Sequence, residues 1–278
     1  MFKKTLGLFF SMLAMTTGVA AESYTDHITY NWLAEKGAEN GITDHVAHWR
    51  RLFNTMHVRG FLECGIGFST KYFLDHTEKV VTVEFVTPGY GPSKYQQCYS
   101  LFYDIPNWIP MLYNEELRSN SFNNACAYQS SMHKDYSLLD PAYLRELFQY
   151  FNTIIKKART GNYPIDVAFV HSGVYIRGDF VKLLMAHKIP IIAAHNTSTD
   201  NGPGEESNLY GWNKINAPSN YIKIYIPFGQ GTTFWISDQL PDVIASMQAY
   251  RDSIIDLKDF GYGVSFDDIK NIADDILF

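Results

Sequence analysis

Residues 61–85 constrain the chain most: Phe-Leu-Glu-Cys-Gly-Ile-Gly-Phe-Ser-Thr, a short helical run, then Lys-Val-Val-Thr-Val-Glu-Phe. The order reads as strand, glycine turn, helix, strand. Residues 58–62 supply a short apolar strand that Glu63 closes, and Gly65 and Gly67 let the backbone turn sharply and approach a ligand closely. Ser69 or Thr70 caps the following helix, which runs to about Asp75. The second strand, 80–85, is rich in β-branched residues and carries Glu84 near its tip, seventeen positions after Gly67. An acid there is placed to accept both hydroxyls of a ribose.

An acid, any residue, Gly, any residue, Gly after a first strand, with a second acid ending the next strand, resembles the nucleoside-binding half of the class I S-adenosylmethionine-dependent methyltransferases. A third glycine common in that family is Ser69 here, which narrows the space beside the ligand. A dinucleotide-binding fingerprint fits less well, because its third glycine would fall at Thr70 and Glu63 would have no role. The resemblance implies that Glu63, Gly65 and Gly67 line the methionine side of S-adenosylmethionine, with Ser69 also beside the cofactor, Glu84 the ribose and His171 the mouth beside the sulfonium.

Two further strand ends extend the resemblance. Several small-molecule methyltransferases place Asp-Gly after the fourth strand and His-Asp after the fifth; this chain reads Phe169-Val170-His171-Ser172-Gly173 and Ile192-Ala193-Ala194-His195-Asn196. His171 and Asn196 stand where that family has acids, while His195 and Asp179 sit where it often has a histidine and an aspartate. In metal-dependent members such acids hold a divalent cation, so their replacement argues against magnesium or calcium, which prefer oxygen ligands. His171, His195 and Asn196 form a donor set for a softer metal; the bland alternative is that each histidine hydrogen-bonds at a strand end, and no metal is expected. His171 or His195 is the expected general base.

The chain is 46% hydrophobic and 15% aromatic, enough for a large core, and residues 22–278 read as a single methyltransferase-like α/β domain. Residues 1–21 read as a secretory signal peptide: Lys3 and Lys4, an apolar run at 6–14, then Val19-Ala20-Ala21. The expected location is therefore secreted or periplasmic, with no membrane span after signal removal. The formal charge is −6, and removing two signal lysines makes the remainder more acidic, which argues against nucleic acid as a partner. Three cysteines permit at most one internal disulfide; Cys64 reads as a small buried residue, leaving Cys98 with Cys126 as the pairing to consider.

The remaining elements follow in order. An amphipathic helix is expected at 25–37. A second is expected after a Thr43 cap, with Val46, Trp49, Phe53 and Met56 as its stripe and His45 and His48 on a solvated face. Residues 95–113, crowded with aromatics, read as a packed helix with its flanks, or else as a lid; 125–129 read as a short third strand. A helix at 141–158, strands at 165–170 and 189–194 around a helix at 174–186, and a long polar loop at 197–220 come next. A hairpin at 221–226 and 232–236 precedes helices at 241–259 and 266–277. Alternating strands and helices argue for a doubly wound, mostly parallel Rossmann-like α/β sheet with a C-terminal antiparallel hairpin. The resemblance implies an exported S-adenosylmethionine-dependent methyltransferase acting on a small molecule. The alternative is a catalytically silent nucleoside- or metabolite-binding protein on the same scaffold.

Overall fold

The computed structural model describes residues 45–67, 69–85, 99–113, 117–127, 140–199, 202–206, 209–227 and 230–255. In chain order the elements are α1 (Val46–Thr55), β1 (Val58–Cys64), α2 (Thr70–His76), β2 (Thr77–Phe85), β3 (Trp108–Tyr113), α3 (Asn120–Ala127) and α4 (Ala142–Thr160). There follow β4 (Val167–Val170), α5 (Arg177–Ala186), β5 (Ile191–His195), the short pair β6 (Ser198–Thr199) and β7 (Gly202–Glu206), β8 (Tyr221–Ile226), β9 (Thr232–Ser237) and α6 (Pro241–Ile255). The seven-stranded sheet has the order β3-β2-β1-β4-β5-β9-β8, parallel through β5 and antiparallel across β5, β9 and β8.

The continuously apolar strands lie at the centre, where both faces are covered. Successive residues serve opposite layers, as the two-residue strand period requires. Leu62, Cys64, Val81, Val83, Ala168 and Val170 join Phe122, Leu147, Phe151 and Phe180 of α3, α4 and α5. Phe61, Val80, Val167 and Phe169 join Trp49, Phe73 and Met247 of α1, α2 and α6. Trp49 is fully buried at the middle of the second layer, its ring 5.0–5.5 Å from those of Phe61, Phe73, Phe169 and Phe234. Asp166, the polar exception in its apolar run, accepts from the Arg59 backbone N–H at 2.9 Å and from its guanidinium at 2.9 and 3.3 Å, tying β1 to the start of β4 at the amino edge.

Several expectations are corrected. The third strand is 108–113, not 125–129. Pro110 lacks a donor, and an edge strand accommodates it. Residues 120–127 are instead helical, because Phe122, Ala125 and Cys126 pack into the first layer. His45 and His48 are fully buried rather than solvated: with Leu52 in the stripe, the inward face of α1 widens to take them. The polar loop after β5 contains the β6–β7 pair and a 3-10 segment, Leu209–Lys214. The helix expected at 241–259 is described as Pro241–Ile255. The helices expected at 25–37 and 266–277, the Thr43 cap and the signal segment lie outside the described residues. So does Cys98; Cys64 and Cys126 are buried free thiols. Among the described residues no helix is long and apolar enough to cross a membrane.

Candidate ligand site at the carboxyl edge

The strand order reverses between β1 and β4, and the crevice outside the carboxyl ends of those strands is where open α/β sheets bind ligands. The turn after β1 opens into this crevice. Gly65 has φ of 108°, and a Cβ on it would lie 2.5 Å from the His171 carbonyl oxygen and 2.6 Å from Ser172 Cα, so only glycine fits. Its N–H donates to the Val83 carbonyl at 2.8 Å, while the His171 N–H donates to the Cys64 carbonyl at 2.8 Å. The turn is thereby sewn to β2 on one side and β4 on the other. Gly67 differs: among the described residues a Cβ there would meet nothing closer than Ser69 Oγ at 3.7 Å, so a side chain is not excluded by the fold at that point.

The two acids fix the turn. Glu63 is fully buried and accepts from the Thr70 hydroxyl at 2.8 and 3.0 Å and from the Thr82 hydroxyl at 2.9 Å. Thr70 in turn accepts the Gly67 N–H at 3.2 Å, and Thr82 accepts the Trp108 indole N–H at 2.9 Å. Glu63 is thus the centre of a network joining β1, the turn, β2 and β3. Ser69 precedes α2 but makes no side-chain capping bond. Glu84 turns back to accept the Ile66 N–H at 2.7 Å and is 8% exposed, so one of its oxygens holds the turn. Burial, together with the charges of Glu63 and Glu84, pushes the Cys64 thiol between them well above its usual range, so it stays neutral.

His171 and His195 do come together at the ends of β4 and β5, their ring centroids 4.8 Å apart, and His45 joins them at 5.5 and 4.8 Å. The His195 Nδ1 lies 3.1 Å from the Thr232 hydroxyl. His45 escapes a reading by sequence because its neighbours in the cluster are more than a hundred residues away. The signal that finds it is the helical spacing His45, Trp49, Leu52, Met56, which puts it on the inward face. Among the described residues no three His, Cys, Asp or Glu side chains are placed to hold a metal ion. Beside the cluster, Ser172 Oγ is buried with no hydrogen-bond partner, and so is the Oδ1 of Asn196, whose backbone is left-handed at φ 63°. Unsatisfied polar atoms at a sheet's carboxyl edge are places where a ligand can bond.

No family model matches the sequence. No curated protein matches it either. Solved structures do resemble the fold. The O-methyltransferase TomG of Streptomyces achromogenes, involved in tomaymycin synthesis and solved with SAM, is 13% identical at a TM-score of 0.42, over 82% of this chain and 93% of that one. The SAH-bound methyltransferase PaMTH1 of Podospora anserina is 12% identical at 0.40, over 78% and 88%. A methyltransferase from Geobacter sulfurreducens is 10% identical at 0.39, over 75% and 86%. The fold is assigned on the strand order itself: β3-β2-β1-β4-β5 followed by the antiparallel β9-β8 pair is a doubly wound, mostly parallel Rossmann-like sheet.

Proposed function

We propose that the protein is an exported S-adenosylmethionine-dependent methyltransferase that acts on a small-molecule acceptor. The observation that carries the reading is the glycine turn: closed to any side chain at Gly65, held by Glu63 and Glu84, and set at the switch point of the sheet. The residues present fit the donor. Among the described residues a Cβ on Gly173 would meet nothing and one on Gly67 only Ser69 at ordinary contact distance, and Ser172 Oγ and Asn196 Oδ1 are polar atoms that want partners. Glu84 keeps a carboxylate beside the turn for the ribose, and Gly67 leaves room for the methionine side.

When bound, S-adenosylmethionine supplies an electrophilic methyl group on a sulfonium. The chain has to align the acceptor and take its proton if the nucleophile still holds one at attack. His171, half-buried, and His195, fully buried, meet at the ends of β4 and β5 and are the candidate bases. Trp212 is 5% exposed and its indole N–H donates to the Asn196 carbonyl at 3.0 Å, which brings an aromatic wall to the end of β5.

Transfer of labelled methyl from S-adenosylmethionine to a metabolite pool is the test. His171→Ala or His195→Ala should lower kcat by about a hundredfold while donor affinity stays within a few-fold. Equal loss of binding and turnover assigns the histidine a structural role. Donor binding with no transfer by the wild type selects the silent scaffold instead.

A further inference from the structure

Arg177 opens α5 and is 4% exposed, yet its Nε and Nη1 have no hydrogen-bond partner. Its guanidinium lies 3.9 Å from the centre of the Tyr210 ring. Tyr210 is held there at some cost: it and Gly211 have left-handed backbones at φ 56° and 75°, and a Cβ on Gly178 would lie 2.6 Å from the Tyr210 carbonyl oxygen. The Tyr210 turn therefore sits directly on the first turn of α5. The nearby acid does not pair with Arg177, because Asp179 accepts from the Tyr143 hydroxyl at 2.7 Å and from Lys182 at 3.3 Å.

A buried guanidinium with unmet donors is costly unless an anion offsets it. We propose that Arg177, under Tyr210, receives the carboxylate of a small molecule bound over the glycine turn. The chemistry selects a carboxylate over a phosphate. There is a single, deeply buried guanidinium, whose planar fork matches one carboxylate. The first N–H groups of α5 add to the attraction. The loop between β4 and α5 supplies the room, since a Cβ on Gly173 would meet nothing within 4 Å. The proposal rests on the carboxyl edge being a ligand site, as in the functional reading above. Two sources carry this group: the aminoacyl end of the donor and an acidic acceptor.

Matched pairs of ligands separate the two sources in titrations of the wild type, Arg177→Met and Arg177→Lys. The first pair is S-adenosylhomocysteine and 5′-methylthioadenosine, which lacks the carboxylate; the second is a set of aromatic and aliphatic acids with their amides. The wild type should prefer the acid of one pair by at least tenfold, Arg177→Met should erase that preference while still binding the neutral partner, and Arg177→Lys should keep part of it. Preference in the first pair assigns the carboxylate to the donor, and in the second to the acceptor. Acid preference with no binding of either adenosine compound upholds the proposal while sinking the methyltransferase reading. No preference in either pair, or one that Arg177→Met leaves intact, overturns it. Without ligand, Arg177→Met should melt at or above the wild type. A clear fall in melting temperature that Arg177→Lys reverses would mean that the guanidinium holds the fold, and the proposal would fail.

Discussion

Glu84 accepts the Ile66 N–H and so shapes the turn; the proposed function gives the same carboxylate a second task, holding a ribose. Substitutions separate the two. Glu84→Gln retains an acceptor for Ile66 but no charge; nucleoside binding should weaken about tenfold or more with little change in melting temperature, since a hydrogen bond to a charged group is worth about 1.5–3 kcal/mol. Glu84→Ala also strands the Ile66 N–H and should cost about 1–3 kcal/mol of stability besides. Calorimetry beside thermal melts checks both, and identical behaviour of the two variants would contradict the double role. At this scale the sequence was legible where chemistry is local: Glu63, Gly65, Gly67 and Glu84 lie within one strand-turn-strand unit. It was illegible for Arg177, whose burial depends on a left-handed turn more than thirty residues later.

The helix α1 contributes through Trp49, which meets five aromatic rings and has an indole N–H with no partner. Trp49→Ala should destabilise by about 3–5 kcal/mol. Trp49→Phe keeps most of the packing and loses no hydrogen bond, so its cost should be markedly smaller. Urea unfolding measures both; an alanine variant within about 1 kcal/mol of the wild type would contradict the packing account. Elements with strong period or unbroken apolar runs, such as α4, β4, β5 and the β8–β9 hairpin, were read from sequence with bounds close to those found. The third strand was not, because Pro110 breaks the pattern that marks a strand and only pairing with β2 restores it. Residues 120–127 misled for the complementary reason: their short apolar stretch gains its helical form from packing against α4.

For the whole molecule, the layered sheet puts every candidate group on one edge: the turn after β1, Glu84 at the end of β2, His171 after β4 and His195 at the end of β5. The same chain begins with a signal-like segment, so the mature protein should start near Glu22 and be recovered outside the cytosol. Amino-terminal sequencing of extracytoplasmic protein checks this, and an intact Met1 there would contradict it. The central claim, that this edge is built for S-adenosylmethionine, turns on Gly67. A side chain at Gly65 would strike the His171 backbone, whereas a Cβ at Gly67 would meet nothing closer than Ser69 Oγ at 3.7 Å among the described residues. Titration of Gly67→Val with S-adenosylhomocysteine, beside its thermal melt, is therefore the most direct measurement. The variant should melt within a few degrees of the wild type and bind at least tenfold more weakly, about 1.4 kcal/mol or more. Equal affinity in the two proteins, or a folded wild type that gives neither heat nor a melting shift at millimolar ligand, would contradict the account.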